Sequence, residues 1–369
     1  MIVNGQYFQT IWADLNHSEI IRIIDQQKLP FEFSIKQLLT FDDAFHAIKD
    51  MTVRGAPLIG VTAAYGIYLA ICHFRDDEPL SEFIIRHGRL METARPTAVN
   101  LSYAVHAMLD SLSVINDASE AREIAFKTAG RLKEQEIDFC NRIGEHGLTI
   151  IKEISEKKNG EPVNILTHCN AGWLACIDWG TALAPVYKAH RKGIAVHIWV
   201  DETRPRNQGS KLTAYELQQE GVPHTVIPDN TGGHLMQHGM VDMVLVGSDR
   251  TTRKGDVCNK TGTYLKALAA SDNNIPFYAA LPSSSIDMNI SDGLNEIPIE
   301  ERSADEVKFM EGKGGKVQVV PDNSPVANYG FDVTPARLIT GLITEKGICG
   351  ANENELVSLF DKNERDKFL

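Results

Sequence analysis

The sequence predicts an α/β protein, with a helical N-terminal domain followed by a Rossmann-like parallel-sheet C-terminal domain. Three observations predict it. From Ser34 to Lys157 apolar residues recur at helical spacing. From Val163 onward short β-type runs alternate with helical patterns, the signature of βαβ units and a parallel sheet. Between them lies KKNGEP, Lys157 to Pro162, a polar stretch with Gly160 and Pro162 that breaks either periodicity. The domains therefore read as residues 1–157, mainly helical with a short β lead-in, and 163–349, the sheet domain, with a polar tail over 350–369. A chain of 369 residues has room for two cores.

Taken in order, the first thirty or so residues hold two apolar segments, around Ile11 and Ile20. TFDDAFHAIKDM then sets Phe41, Ala44, Ile48 and Met51 at helical spacing behind a Thr-Phe-Asp-Asp start, and the helix ends near Thr52. Pro57 suits the first turn of the next helix, where a missing N–H costs nothing. That helix opens the longest uncharged run, Ala56 to Phe74, but Pro57, Thr62, two tyrosines and His73 argue for a buried core helix over a membrane span. Further helical patterns run from Leu80 to Glu92, Val99 to Ser113 and Ala118 to Lys157. Strand-like runs begin at Val163, Ala195, His224, Asp242, Pro276 and Lys316, with helices expected over Gly172–His190, Leu212–Glu220 and Lys260–Ala270. The tail from Gly350 reads as a polar helix or a partly ordered end.

Composition narrows the function. A hydrophobic share of 43% and a charged share of 23% are those of a globular protein. A net charge of −12 argues against a nucleic-acid or anionic-membrane binder, so an anionic ligand must be met by local donors. No basic region followed by an apolar run opens the sequence, and the six cysteines form no C-x-x-C pair. Reduced thiols in a cytoplasmic protein are expected. No G-x-G-x-x-G follows the first strand, so no dinucleotide cofactor is indicated. His234 and His238 in HLMQH have the spacing of zinc ligands, but Leu235 stands where the glutamate of H-E-x-x-H would be, and no metal is expected.

Chemistry is expected at the strand ends, because ligands of open parallel sheets bind beyond the carboxyl ends of the strands. Asp249 ends the run DMVLVGSD, and Cys169 takes the same place after VNILTH, ahead of an expected helix whose N-terminus would favour thiolate. A lone aspartate there also caps turns, and a lone cysteine is also a small core residue. Asn259 and Lys260 stand at an expected helix start suited to an anion. Arg54-Gly55-Ala56 offers a guanidinium and close backbone approach at another helix start, and Arg95 precedes Pro96 at a third. Gln208 lies in DETRPRNQG, on the same carboxyl edge, where Arg204 and Arg206 are expected to pair with Asp201 and Glu202.

Together RGAPLIG, RPTAVNL, HCNAGWLA, VDETRPRNQG, GSDR with GDVCNKTGTY, and FDVTPARLITGLITEKG resemble the 5-methylthioribose-1-phosphate isomerases of methionine salvage. That family shares a superfamily with regulatory subunits of initiation factor 2B and with ribose-1,5-bisphosphate isomerases. The resemblance implies an aldose–ketose isomerase and a homodimer. It places a proton donor at Asp249, a catalytic thiol at Cys169, and substrate contacts at Arg54, Gly55, Ala56, Arg95, Gln208, Asn259 and Lys260. The chain departs from the family pattern at Thr251–Lys254, which is more basic, and at Tyr329-Gly330, where many members carry Pro-Ala. Three alternatives stay open: a 5-deoxyribose 1-phosphate substrate, a bisphosphate substrate with Arg253 and Lys254 as its second cationic site, and a non-catalytic regulatory subunit. A methylthio group would need an apolar wall, for which Trp173 and Met236 are candidates.

Overall fold

A computed structural model describes residues 1–95 and 99–360 of the chain. Pro96, expected to stiffen a helix entry, and residues 361–369 of the expected tail lie outside the described residues. The described part of that tail contains a short helix, Glu353–Ser358, capped by Asn352.

The chain opens with short strands, of which Ile11–Ala13, Ile21–Ile24 and Ile35–Leu38 form an antiparallel sheet. The helix Phe41–Lys49 follows, set by a capping box in which Thr40 and Asp43 satisfy each other's backbone N–H groups, worth about 1 kcal/mol. The helix Ala56–Cys72 is buried at every residue but the last, so it shows no amphipathic stripe and forms the centre of a helical core. Helices Leu80–Glu92 and Val99–Leu112 pack around it. The long helix Ala118–Lys157 joins two cores: Ala121, Ala125, Ala129 and Leu132 belong to the helical one, and Ile143, Leu148 and Ile151 to that of the sheet.

The main sheet has seven strands. Their order across the sheet is Gly347–Cys349, Gly341–Thr344, Phe277–Ala280, Met243–Val246, Val163–Thr167, Val196–Asp201 and His224–Ile227. All pairings are parallel except that of the edge strand Gly347–Cys349. The chain starts at Val163–Thr167, moves outward on one side and returns to Met243–Val246 on the other, so the order reverses between these two strands. A crevice at such a switch point is where this architecture binds ligands. Cys169 follows one of the two strands and Asp249 follows the other.

A second sheet rises beyond this edge from Ile286–Asp287, Arg250–Thr252, Val257–Lys260 and Phe331–Thr334. It corrects one expectation: Asn259 and Lys260 end a strand paired with Asp332 and Phe331, and the helix begins later, at Thr263–Asp272. Three further differences concern the sheet region. The expected helix over Gly172–His190 is a three-residue turn at Trp173–Ala175 and a separate helix at Leu183–Arg191. The helix expected from Leu212 is regular over Ala214–Glu220, behind a wider π-type turn at Gly209–Thr213. The run from Lys316 lies in an exposed hairpin, Phe309–Gly312 with Gly315–Gln318, and the sixth parallel strand is Gly341–Thr344. No helix among the described residues is long and apolar enough to cross a membrane.

Candidate active site

Cys169 occupies a left-handed backbone conformation, φ 66°, which a side-chain-bearing residue adopts only when its surroundings hold it there. Here its N–H donates to Thr203 Oγ1 at 2.8 Å, and its carbonyl accepts from Thr213 Oγ1 at 2.8 Å. The thiol is buried and lies 3.5 Å from Gln208 Oε1. Gln208, itself buried, comes from the loop after the neighbouring strand, so two strand ends meet at the sulfur.

The helix invoked to activate that thiol is absent. The N–H groups of Trp173 and Leu174 donate to the Glu216 carboxylate at 2.7 and 2.9 Å, so these two amides are not free to meet an anion. Glu216 also accepts from Tyr187 Oη at 2.7 Å and from Asn170 Nδ2 at 2.8 Å, and burial raises its pKa. Asn170 turns its other face to Arg54, whose guanidinium donates to the Asn170 side-chain oxygen and, at 2.6 Å, to its backbone carbonyl. Arg54 is thus fixed to the residue that follows Cys169, although 116 positions separate the two in the chain.

Gly55 sits at φ 94°, and a Cβ there would lie 2.3 Å from Ala175 O. The glycine lets the Arg54 turn close onto the turn after Cys169. Beyond it, Ala56 starts a helix that has no side-chain cap, leaving first-turn N–H groups for an anion. The helix start at Thr263 is different: Asp332 accepts from the N–H groups of Gly262 and Tyr264 at 2.7 and 3.2 Å. Of the helix starts expected to cradle an anion, the one at Ala56 is open and the one after Lys260 is occupied.

Asp249 keeps an accessible face yet sits deep in the molecule, and that burial raises its carboxyl pKa against the opposing pull of Lys260, Arg95 and Arg54. Its backbone N–H donates to Cys258 O at 2.9 Å. Lys260 is buried over the ring of Phe331, 4.3 Å from its centroid. Burial lowers the pKa of its amine, opposed first by Cys169 and then by Asp249. Neighbouring Asn259 is buried and donates to Thr263 Oγ1 at 3.0 Å. Arg95 is 5% exposed and lies 3.5 Å from Glu300 Oε2, while its Nε and Nη1 have no hydrogen-bond partner among the described residues. Arg54, Arg95, Cys169, Gln208, Asp249 and Lys260 are therefore brought together: a carboxyl and a thiol among three cations, one with unsatisfied donors.

A cleft of about 280 Å³ reaches this group at Arg54 and Gln208 and is also lined by Met51, Leu212, Phe309 and Arg206. Asp249, Cys169 and Lys260 are not on its wall. Trp173 and Met236 are buried in two different cores and do not line it. Arg206 pairs with Glu306 at 3.0 Å and Arg204 donates to Val307 O at 3.0 Å. Both arginines thus hold the segment beside the hairpin instead of pairing with Asp201 and Glu202. Arg253 pairs with Glu353 at 3.7 Å and Lys254 is exposed, and neither lines the cleft.

His234 and His238 lie exposed, their ring centroids 4.2 Å apart and tilted by 45°. The one cluster among the described residues with metal-ligand spacing is His168, Asp201 and Asp229. There Lys266 Nζ lies 3.1 Å from Asp201 Oδ2 and donates to Asp229 O, so an ammonium already fills the place of a cation. Sequence reasoning missed this cluster along with Glu216, Asn170 and Glu300. Each is a polar residue whose partner is brought to it by the fold; His168 and Asn170, in HCNAGW, and Asp201, in VDETRPRNQG, lay inside motifs.

Comparison with known proteins agrees with this architecture. Residues 52–351 match the model of the initiation factor 2 subunit family. Methylthioribose-1-phosphate isomerase of Desulfatibacillum aliphaticivorans is 55% identical, over 98% of this chain and 99% of its own. The protein of the same name from Methylorubrum extorquens is also 55% identical, over 99% and 100%. Among solved structures, 5-methylthioribose 1-phosphate isomerase from Pyrococcus horikoshii OT3 superposes with a TM-score of 0.82 at 35% identity, covering 96% of each chain. The delta subunit of translation initiation factor eIF-2B from A. fulgidus gives 0.78 at 35% identity, over 96% and 99%.

Proposed function

The chain belongs to the initiation factor 2 subunit family and, within it, with the methylthioribose-1-phosphate isomerases, and from that premise we propose that it converts 5-methylthioribose 1-phosphate to 5-methylthioribulose 1-phosphate in methionine salvage. The observation that carries the reading is the pairing of Cys169 and Asp249 at the switch point, with Arg54, Arg95 and Lys260 close enough to act on the Asp249 carboxyl.

A phosphate on C1 locks the sugar ring, so opening needs a proton on the ring oxygen. Asp249, whose carboxyl pKa is raised by burial, supplies it from its protonated form. Hydrogen then moves from C2 to C1. It goes either as a proton through Cys169 or the newly ionised Asp249, or as a hydride in a pocket the thiol shields; in both, the C2 hydroxyl gives up its proton as the ketone forms, which restores the acid spent on the ring oxygen. In both routes the phosphate stays bonded to C1 and anchors the sugar through Arg54, Arg95, Lys260 and the open helix start at Ala56. Gln208 and Asn259 complete the polar wall around the sugar. Arg253 and Lys254, the only basic residues suggested for a second phosphate, are turned to the surface, which favours the uncharged methylthio group over a bisphosphate. Domain limits at 1–157 and 163–349, a cytoplasmic location and a homodimer belong to the same proposal. Light scattering at twice the chain mass is the expected result for the last.

Steady-state turnover on 5-methylthioribose 1-phosphate, beside its 5-deoxy and 1,5-bisphosphate analogues and without added metal, tests the reading. The methylthio substrate is expected to have the highest kcat/KM. Preference for an analogue would move the protein to another pathway, and no turnover on any would favour a regulatory subunit.

A further inference from the structure

We propose that His168 is a positioning residue that sets Lys260 against Cys169 and Asp249, acting through the carbonyl of Thr261. The inference rests on the isomerase reading and deepens it. His168 precedes Cys169 and is 1% exposed. Its Nδ1 lies 2.8 Å from Asp201 Oδ2 and its Nε2 lies 2.9 Å from Thr261 O. Thr261 follows Lys260 directly. The ring therefore ties the strand end that carries the thiol to the strand end that carries the ammonium.

The fit is close on the Lys260 side. Gly262 stands at φ 110°, and a Cβ there would come within 2.9 Å of both Nε2 and Cε1 of His168. Only glycine leaves room for the imidazole beneath this turn. On its other side the turn is fastened to the strand Phe331–Thr334: Lys260 pairs with Phe331, Thr261 N donates to Gly330 O at 3.3 Å, and Gly262 N donates to Asp332. His168 supplies the fastening toward Cys169.

The two bonds of the imidazole differ in what their loss leaves behind. Asp201 would keep the Lys266 ammonium at 3.1 Å. Thr261 O would lose its hydrogen bond to the ring, and the Lys260 turn would be free to shift. The bond from Nε2 is thus the one that matters for Lys260, and two substitutions separate it from the other. In glutamine the side-chain nitrogen falls near the position of Nε2, and in asparagine near that of Nδ1.

The test is kcat and KM on 5-methylthioribose 1-phosphate for wild type, His168→Gln, His168→Asn, Lys260→Met and the double variant His168→Asn/Lys260→Met, with thermal unfolding of each. His168→Gln is expected to stay within about threefold of wild type and His168→Asn to lose roughly 10²-fold in kcat/KM, the scale of a misplacement of about 1 Å. In the Lys260→Met background His168→Asn is expected to cost no more than about twofold, because the group it positions is already gone. Equal losses in the Gln and Asn variants, or a full multiplicative loss in the double variant, would overturn the inference and leave the isomerase reading standing. A folded wild type without turnover would instead overturn that reading, and this inference with it.

Discussion

Asp249 is placed where burial and charge pull in opposite directions: burial favours the neutral acid, while Lys260, Arg95 and Arg54 favour the carboxylate. Burial wins, and the consequence is a sign. The donor is the protonated form, so turnover should be full below its pKa and fall as pH rises through it. That gives a basic limb in the kcat profile of the wild-type enzyme. Asparagine cannot supply the proton at any pH, so Asp249→Asn is expected to lose roughly 10²-fold or more in kcat, with substrate affinity by calorimetry retained. Near-normal turnover in this variant would remove Asp249 from the mechanism. At this scale the sequence was informative wherever position on the sheet was enough, since Asp249 and Cys169 both follow from counting strand ends. It was silent where a role depends on a partner. Glu216 lies between Tyr215 and Leu217 on an ordinary short helix, and nothing local shows that it will absorb the amides expected to activate Cys169.

The long helix Ala118–Lys157 carries the next test. Midway along it Glu136 is buried, accepting from Ser284 Oγ at 2.7 Å with its other oxygen unpartnered among the described residues. Burial, aided by the nearby Glu345 carboxylate, pushes its pKa up to about 7. The folded state therefore holds this proton up to about pH 7, while the unfolded chain releases it near the ordinary glutamate value of 4.5. Stability falls as pH rises between those values, and above them the penalty is complete, about 3 kcal/mol at most. Glu136→Gln keeps the acceptor and removes the charge. It should raise Tm at pH 8 and leave it unchanged near pH 4.5. A lower Tm at pH 8 would mean that the ionised carboxylate is paired there. The helix itself was legible to both ends, because forty residues of one periodicity leave little ambiguity. Short elements were not. Val317 and Val319 alternate like a core strand yet are 64% and 51% exposed in a hairpin. Asn259 and Lys260 read as a helix start because the strand that pairs with them, Phe331–Thr334, comes some seventy residues later.

Across the whole molecule a chain of net charge −12 gathers three cations around one carboxyl and one thiol, and the cations come from both regions. Arg54 and Arg95 belong to the helical region and Lys260 to the sheet region, so an anion bound among them links the two and should stabilise the entire chain by mass action. Inorganic phosphate is the simplest probe. At a hundred times its Kd it should add about 2.7 kcal/mol to unfolding, read as a rise in Tm. Arg95 gives the sharpest version of this test. It is a buried guanidinium with two nitrogens, Nε and Nη1, that have no hydrogen-bond partner among the described residues, and Glu300 keeps Arg302 at 3.1 Å whether or not Arg95 is present. Replacing such a charge with an apolar side chain of similar length removes a desolvation cost. Arg95→Met should therefore unfold at the same or a higher temperature without ligand, yet lose the phosphate shift. Arg191→Met, which breaks an exposed pair with Glu220, should keep it. An Arg95 variant that is less stable alone and still responds to phosphate would show that this arginine serves the fold and that the anion is held elsewhere.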